Sequence, residues 1–332
     1  MNSLKKKFQV VGIGNAIVDI LCHVDYQLLT DLDINLGIMQ LVDLERSRKL
    51  YSLLDNAKEV SGGSVANTMA GLALLGIKSA YIGKVKDDHL GNVYASHMKS
   101  IGVEFTTEPA SSNEEYETGR SVILVTPDGE RSMNTYLGAA EFLTIEDMDR
   151  ELLGDTEWIY LEGYRFDGPE SQEAFRIAVE QCKTYGGKVS LALSDPFCIE
   201  RHRQVFWDLI KSGTDLIFAN RSEILSLCQT NDLENALEVL DKEDLLVVTT
   251  LSEDGVIVAG QGNKIRVDAV HAKIVDATGA GDQFAAGFFY GISEGLGLET
   301  SARLGCLAAS EVISHVGPRP EENLLPRFQE TV

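Results

Sequence analysis

The sequence predicts an α/β fold: a mostly parallel central sheet between layers of helices, with a small second β-sheet set against it as a lid. Three observations predict it. From about residue 140 short apolar runs alternate with helix-length segments, the rhythm of a parallel sheet. Inside the chain stands a hairpin, Ser121-Val122-Ile123-Leu124-Val125 and Arg131 to Leu137, joined by Thr126-Pro127-Asp128-Gly129-Glu130 with its Asp-Gly turn signal. Parallel neighbours need a long crossover, so a tight hairpin there belongs to another sheet. The third is Asp276-Ala277-Thr278-Gly279-Ala280-Gly281-Asp282, between a strand-like run (264–275) and an apolar helix (283–292).

The bulk numbers fit one folded body. With 332 residues, 44% hydrophobic and 24% charged, the chain can bury a large core. We expect one domain over 1–332, its lid drawn from about 16–43 and 117–137. A formal net charge of −22 argues against nucleic acid or an anionic membrane surface as partner. Cys22, Cys182, Cys198, Cys228 and Cys306 are scattered, with no Cys-x-x-Cys, which predicts a reduced, cytoplasmic setting without disulfides or zinc. Lys5, Lys6 and Lys7 precede an apolar run too short for a signal peptide, so we expect a soluble tail. No run approaches a membrane span.

In chain order, Phe8 to Ile13 reads as a buried strand ending at Gly14. Gly12-x-Gly14 lacks the third glycine and the helix of a dinucleotide fingerprint. Asn15 and Asp19 are placed at the carboxyl end of this strand, where open α/β sheets bind ligands; an Asx-turn and a solvated loop are the plainer reading. Residues 20–43 look like strand excursions, not helix, and 44–54 a short polar helix. Ser61-Gly62-Gly63-Ser64-Val65-Ala66-Asn67 opens an apolar helix closed by Gly76. Gly62 and Gly63 permit close approach of a ligand, and Asn67, one turn on, can face it. Ser79 to Val85 is a strand, followed by a helix to about Ile101. Beyond the hairpin, strands are expected at 158–161, 189–193, 216–219 and 245–249, with helices at 170–185, 200–211 and 221–240, broken near Thr230. An antiparallel pair at 256–258 and 265–267 and a last helix at 299–314 complete the fold.

The 276–282 stretch carries the chemistry. Its glycines leave unpaired N–H groups at a helix start, aligned with the positive end of the helix dipole: a seat for phosphate. Asp282 beside that seat repels an anion, and makes sense as a base taking a proton from a hydroxyl. An N-cap Asp in an ordinary turn is the plain alternative. Glu223 in Asn220-Arg221-Ser222-Glu223 can face an Mg²⁺ shell or complement a helix dipole. Arg131 beside the hairpin can reach a transferring phosphate. The loop from Thr250 to Gly255 can border a nucleotide, and Phe197 can wall a base or fill a core.

Taken together, these landmarks resemble the ribokinase-like (PfkB) carbohydrate and nucleoside kinases over about residues 10–320. The matches run in order: Gly14-Asn15-x-x-x-Asp19, Gly62-Gly63-Ser64-x-x-Asn67, Gly129-Glu130-Arg131, Asn220-x-x-Glu223 and Asp276-x-Thr278-Gly279-Ala280-Gly281-Asp282. The resemblance implies a ribokinase-like three-layer α/β/α fold and ATP-dependent phosphorylation of a primary hydroxyl. It makes Asp282 the base and 279–282 (Gly279, Ala280, Gly281) the anion hole, with Arg131 in the catalytic set. Asn15, Asp19, Gly62, Gly63, Ser64 and Asn67 would bind the acceptor. Asn220, Thr250, Gly255, Thr278, Gly279 and Gly281 would bind ATP. Glu223 would act on Mg²⁺ through water, and Asp276 would lie by a K⁺ ion.

Within that family the chain looks most like adenosine kinases, on Gly14-Asn15, Val24-Asp25 to Tyr51, Leu193-Ser194-x-Pro196-Phe197 and Gly305-Cys306-Leu307-Ala308-Ala309-Ser310. That likeness places Ile17, Gln40, Met133, Thr135, Leu137 and Phe197 around a nucleoside and implies purine salvage. Ala277 departs from the usual Thr or Val, 250–255 departs from the nucleotide loop Thr-x-Gly-x-x-Gly, and Arg165 stands where an aromatic usually meets the base. A ribose or fructose kinase, a guanosine or inosine kinase, and a non-catalytic nucleotide sensor stay open. So do monomer and homodimer.

Overall fold

The computed structural model describes residues 6–168 and 170–332; Lys5 of the expected tail lies outside the described residues. Among the described residues thirteen strands form two sheets. They are β1 (Phe8–Ile13), β2 (Ile17–His23), β3 (Met39–Leu41), β4 (Lys58–Gly62), β5 (Ser79–Ile82), β6 (Gly119–Val125) and β7 (Arg131–Tyr136). The second half adds β8 (Thr156–Glu162), β9 (Lys188–Ala192), β10 (Leu216–Asn220), β11 (Leu246–Thr250), β12 (Val256–Gly260) and β13 (Asn263–Val267).

The large sheet runs β13-β12-β11-β10-β9-β8-β1-β5. All its pairs are parallel except β11–β12 and β12–β13. Its inner strands are largely buried because helices cover both faces, whereas edge strand β13 leaves Lys264 and Arg266 exposed. The chain moves outward from β1 to β5, then returns to β8 and continues the other way. The strand order therefore reverses between β1 and β8, the place where such sheets open a crevice for ligands.

The small sheet runs β3-β7-β6-β2-β4. Residues in register share a face. Asp19 pairs with Ser121, Ser121 with Thr135 and Thr135 with Leu41, so Ile17, Asp19, Arg131, Met133 and Thr135 lie on one face. On the opposite face Val122 and Leu124 pack with Leu29, Leu32, Ile34 and Leu50. The β6–β7 turn is set by Gly129 at φ +88° and by the Thr126 hydroxyl donating to Asp128 Oδ1 at 2.6 Å.

Several elements differ from expectation. Asp19 lies on β2 of the small sheet, not at the end of β1. The small sheet includes β4, outside the two expected segments. Residues 20–43 contain a helix, Tyr26–Asp31, capped by Asp25; it buries only Leu29, too little to leave a readable period. The run 264–275 stops being a strand at Val267, because its partner β12 begins at Val256 and offers nothing further to pair. A final helix, Leu325–Thr331, follows the expected end; it buries Phe328, which joins Leu75 and Leu304 in a small cluster.

Candidate active site

The glycine turn opens the helix Ala280–Ser293. That helix is apolar all round because it lies between two others: Gly287 touches the backbone at Leu304, while Gln283 and Ala286 crowd Gly71. Gly279, at φ +79°, is the N-cap, and among the described residues no side chain caps this end. Asp282 is thus not the N-cap but stands in the first turn. Gly281 is exposed, and a Cβ built there meets nothing within 4 Å. The open amides and the helix dipole point at this space.

Asp282 is held from the helix Ser64–Leu74. Ser64 Oγ donates to its Oδ1 at 2.6 Å, Asn67 Nδ2 to its Oδ2 at 3.0 Å, and Thr68 Oγ1 to its carbonyl at 3.0 Å. Burial pushes the carboxyl up to about 6, against the Ser64 and Asn67 hydrogen bonds and the Arg319 charge. Asp19 rises to about 7, again by burial, opposed by Arg319 and Arg131 and helped by Asp282. Its carboxylate packs on Gly62, where any Cβ would collide with it. Gly63, at φ +98°, comes against the Asn15 carbonyl. The structure thus gathers Asn15, Asp19, Gly62, Gly63, Ser64, Asn67, Gly279, Ala280, Gly281 and Asp282 around the ends of β1, β2, β4 and two helices.

Other expected residues are engaged differently. Arg131 reaches from β7 to Asp276, Nη2 to Oδ2 at 2.9 Å, with both side chains buried. Asp276 also accepts from Thr278 N at 3.1 Å and Gly317 N at 2.8 Å. Arg131 thus faces Asp276, the carboxylate expected beside K⁺, while its guanidinium nitrogens make no hydrogen bond among the described residues. Among the described residues no three His, Cys, Asp or Glu side chains gather as a metal centre. Glu223 and Asn220 form a capping box: Asn220 N and Nδ2 donate to the carboxylate, while Asn220 Oδ1 accepts from Glu223 N. Burial pushes Glu223 up to about 7, against the Asn220 backbone bond.

Gln40 lies on the far face of the small sheet and donates to Asn134 Oδ1 at 2.7 Å, away from the row that holds Asp19. As the middle residue of β3 it points opposite to Met39 and Leu41. Met133 is half-buried, Thr135 shares a hydrogen bond with Ser121 at 2.9 Å, and Leu137 leads into the turn 138–142. Phe197 is 70% exposed on the first turn of the helix Pro196–Lys211, so it is no core aromatic. Thr250, Gly255, Ala280 and Gly281 line one cavity of about 350 Å³ with Val270, Ile274 and Phe284.

Three residues outside the expected set also reach the site. Glu162 ends β8 at the switch point; its Oε2 accepts from Val65 N at 3.1 Å, and burial pushes it up to about 7. A charged residue closing an apolar strand beside Gly163 is a signal the sequence does carry. Arg165 is 1% exposed and donates to the carbonyls of Ala140 and Leu143 and to Asn15 Oδ1. It braces 138–143 and offers no face to a ligand. Arg319, between two prolines near the C-terminus, donates from Nε to Asn67 Oδ1 at 3.1 Å.

The pfkB family carbohydrate kinase model matches residues 36–323. The chain belongs to the PfkB family. Its fold is accordingly ribokinase-like, and family membership implies a phosphotransferase that uses ATP on a hydroxyl of a small molecule. An adenosine kinase from Sinorhizobium meliloti is 43% identical, with a TM-score of 0.89 over 98% of this chain and 100% of its own. A "probable sugar kinase" from Rhizobium etli is also 43% identical, with a TM-score of 0.89 over 98% of each chain. A 5-dehydro-2-deoxygluconokinase from Lacticaseibacillus casei is 28% identical over 94% of this PfkB chain and 92% of its own. No helix among the described residues is long and apolar enough to cross a membrane.

Proposed function

We propose that this kinase transfers the γ-phosphoryl group of ATP to the 5′-hydroxyl of a nucleoside, adenosine first. The observation that carries this is Asp282, which stands between the uncapped amides of its own helix and the Asp19 face of the small sheet. An acceptor hydroxyl between them has a base on one side and an anion seat on the other. Asp282 takes the hydroxyl proton, the freed oxygen forms the new bond to phosphorus, and the bond to the ADP oxygen breaks, ADP keeping the pair. Gly279, Ala280 and Gly281 hold the phosphoryl oxygens by their N–H groups. Asp19, Gly63 and Asn67 hold the acceptor's hydroxyls, with Ile17, Met133 and Leu137 about its base. The small sheet acts as the lid.

The cavity beside Thr250 and Gly255 suits the donor: it opens at Gly281 and is otherwise mostly apolar, as a flat base requires. Mg²⁺ supplies charge neutralisation on the phosphates. Glu223 keeps a free lone pair on each oxygen and would hold that ion through water. A K⁺ ion at Asp276 would share that carboxylate with Arg131. A cytoplasmic setting and purine salvage follow from this reading.

The 43% identity to an adenosine kinase supports a nucleoside acceptor, although an equally similar chain is described as a probable sugar kinase. A sugar or sugar-acid acceptor is the second reading, favoured by the deoxygluconokinase relatives and by Arg165, which withdraws the usual aromatic. Assays with Mg-ATP and adenosine, guanosine, inosine, ribose, fructose or 5-dehydro-2-deoxygluconate decide between them. We expect the highest kcat/KM with adenosine; a sugar in that place overturns the nucleoside assignment. Asp282→Asn is expected to lower kcat by about 10³-fold or more with acceptor binding retained. An unchanged kcat removes the base from the scheme.

A further inference from the structure

We propose that Arg319 is a member of the reaction site: it orients Asp282 through Asn67 and presents two free guanidinium nitrogens to a hydroxyl oxygen of the acceptor. This rests on the phosphotransferase reading above and adds to it a residue outside the motif stretches named in the sequence.

The backbone leading to Arg319 is tied to the glycine turn three times. Gly317 N donates to Asp276 Oδ2 at 2.8 Å, and Gln283 Nε2 donates to the Pro318 carbonyl at 3.0 Å. Gly279 lies so close that a Cβ on it would meet Pro318 Cα at 2.5 Å. The guanidinium therefore starts from a fixed point. Its Nε donates to Asn67 Oδ1, which leaves Asn67 Nδ2 to donate to Asp282 Oδ2. An amide turned the other way would set N–H against N–H at Arg319 and oxygen against oxygen at Asp282. Arg319 thereby decides which way Asn67 points, and Asn67 positions the base.

Nη1 and Nη2 of Arg319 are buried and have no hydrogen-bond partner among the described residues. Unmet donors on a buried cation are among the costliest groups a fold can keep, and they ask for a partner. Asp19 and Asp282 are its acidic neighbours, yet neither accepts from these nitrogens. The fork thus lies among the groups assigned to the acceptor. A sugar hydroxyl completes the set, donating its hydrogen to Asp19 and accepting from Arg319.

The groups facing Asp282 come from every side. Ser64 and Asn67 lie on one helix, Asp19 on β2, Tyr160 and Glu162 on β8, with Tyr164 just after it, and Arg319 on the C-terminal segment. Arg319 is the cation that opposes burial at Asp282. Its removal should raise the carboxyl, so that the acid limb of the rate profile moves to higher pH.

The test uses Arg319→Met and Arg319→Lys in the full chain, with circular dichroism to confirm folding. For the panel acceptor that wild type phosphorylates best, kcat and KM are measured from pH 5 to 9. Binding of that acceptor without ATP is measured by calorimetry. We expect Arg319→Met to weaken acceptor binding by about 10- to 100-fold and to shift the acid limb up by about one pH unit. Arg319→Lys keeps the charge without the fork, so it should restore the limb but only part of the affinity. A folded Arg319→Met with wild-type affinity and limb overturns the inference. If that variant does not fold, wild-type affinity in Arg319→Lys overturns it instead. A wild-type chain that phosphorylates no acceptor overturns the underlying reading, a result separate from an active enzyme indifferent to Arg319.

Discussion

Gly279 and Gly281 sit in one turn for different reasons. Gly279 holds φ +79° with Pro318 against it, whereas nothing stands within 4 Å of a Cβ at Gly281. Gly279→Ala should therefore cost about 2 kcal/mol or more, from backbone strain plus the clash. Gly281→Ala should leave stability within about 1 kcal/mol of wild type, since alanine favours the helix. Its methyl would stand where the phosphate is proposed to lie, so KM for ATP should rise about tenfold. Denaturant titration and ATP kinetics on the two variants read these out; a wild-type KM in Gly281→Ala would place the phosphate elsewhere. The glycines were legible in the sequence as a turn before a helix. Which one is packed and which is open was not, because Pro318 arrives from a distant segment. Arg319 escaped notice for the same reason: its partners are Asn67 and the Asp282 neighbourhood, neither near it in the chain.

Among the elements, β7 joins the small sheet to the loop before the glycine turn through the Arg131–Asp276 pair. Both groups are buried, so removing one strands the other. Arg131→Met should destabilise the fold by about 3 kcal/mol, softened because Asp276 keeps two backbone donors. A double-mutant cycle with Asp276→Asn should return a coupling of about 1–3 kcal/mol. A coupling near zero would mean that the pair does not fasten the sheet to the loop. The hairpin was readable from its Asp-Gly turn, and its separation from the parallel sheet followed. The partner β4 was not, since a strand of five residues has too little alternation to declare its neighbours. Gln40 shows the consequence: a one-residue step along a strand turns a side chain to the opposite face.

For the molecule as a whole, pH sets stability and activity against each other. Burial raises Asp282 to about 6 and Asp19, Glu162 and Glu223 to about 7. Between about pH 4 and 7 the folded chain holds protons on these groups that the unfolded chain releases. The unfolding free energy therefore falls as pH rises through that window and stays low above it. Repulsion within a chain of net charge −22 has the same sign. Asp167 runs the other way: burial pulls its carboxyl up, but Arg201 and His202 hold it below its ordinary value, so its contribution is lost in stronger acid. The melting temperature should be a few degrees higher at pH 6 than at pH 8 at equal ionic strength. Calorimetry or circular dichroism measures this, and a rise from pH 6 to 8 would refute it. Turnover should instead decline below about pH 6, as Asp282 gains its proton.

From its order of residues alone this chain declared a parallel βα body, an antiparallel hairpin apart from it, and a glycine turn at a helix start with an acid beside it. Those are local properties: apolar period, turn chemistry and glycine at a helix start are written in neighbouring residues. Only the tertiary structure decided that Arg131 would face Asp276, that Arg165 would brace a turn, that Glu162 would stand at the switch point, and that Arg319 would reach Asn67. Each of those depends on segments brought together by burying apolar surface, and a charge removed from water must then find its partner wherever the packing has put one.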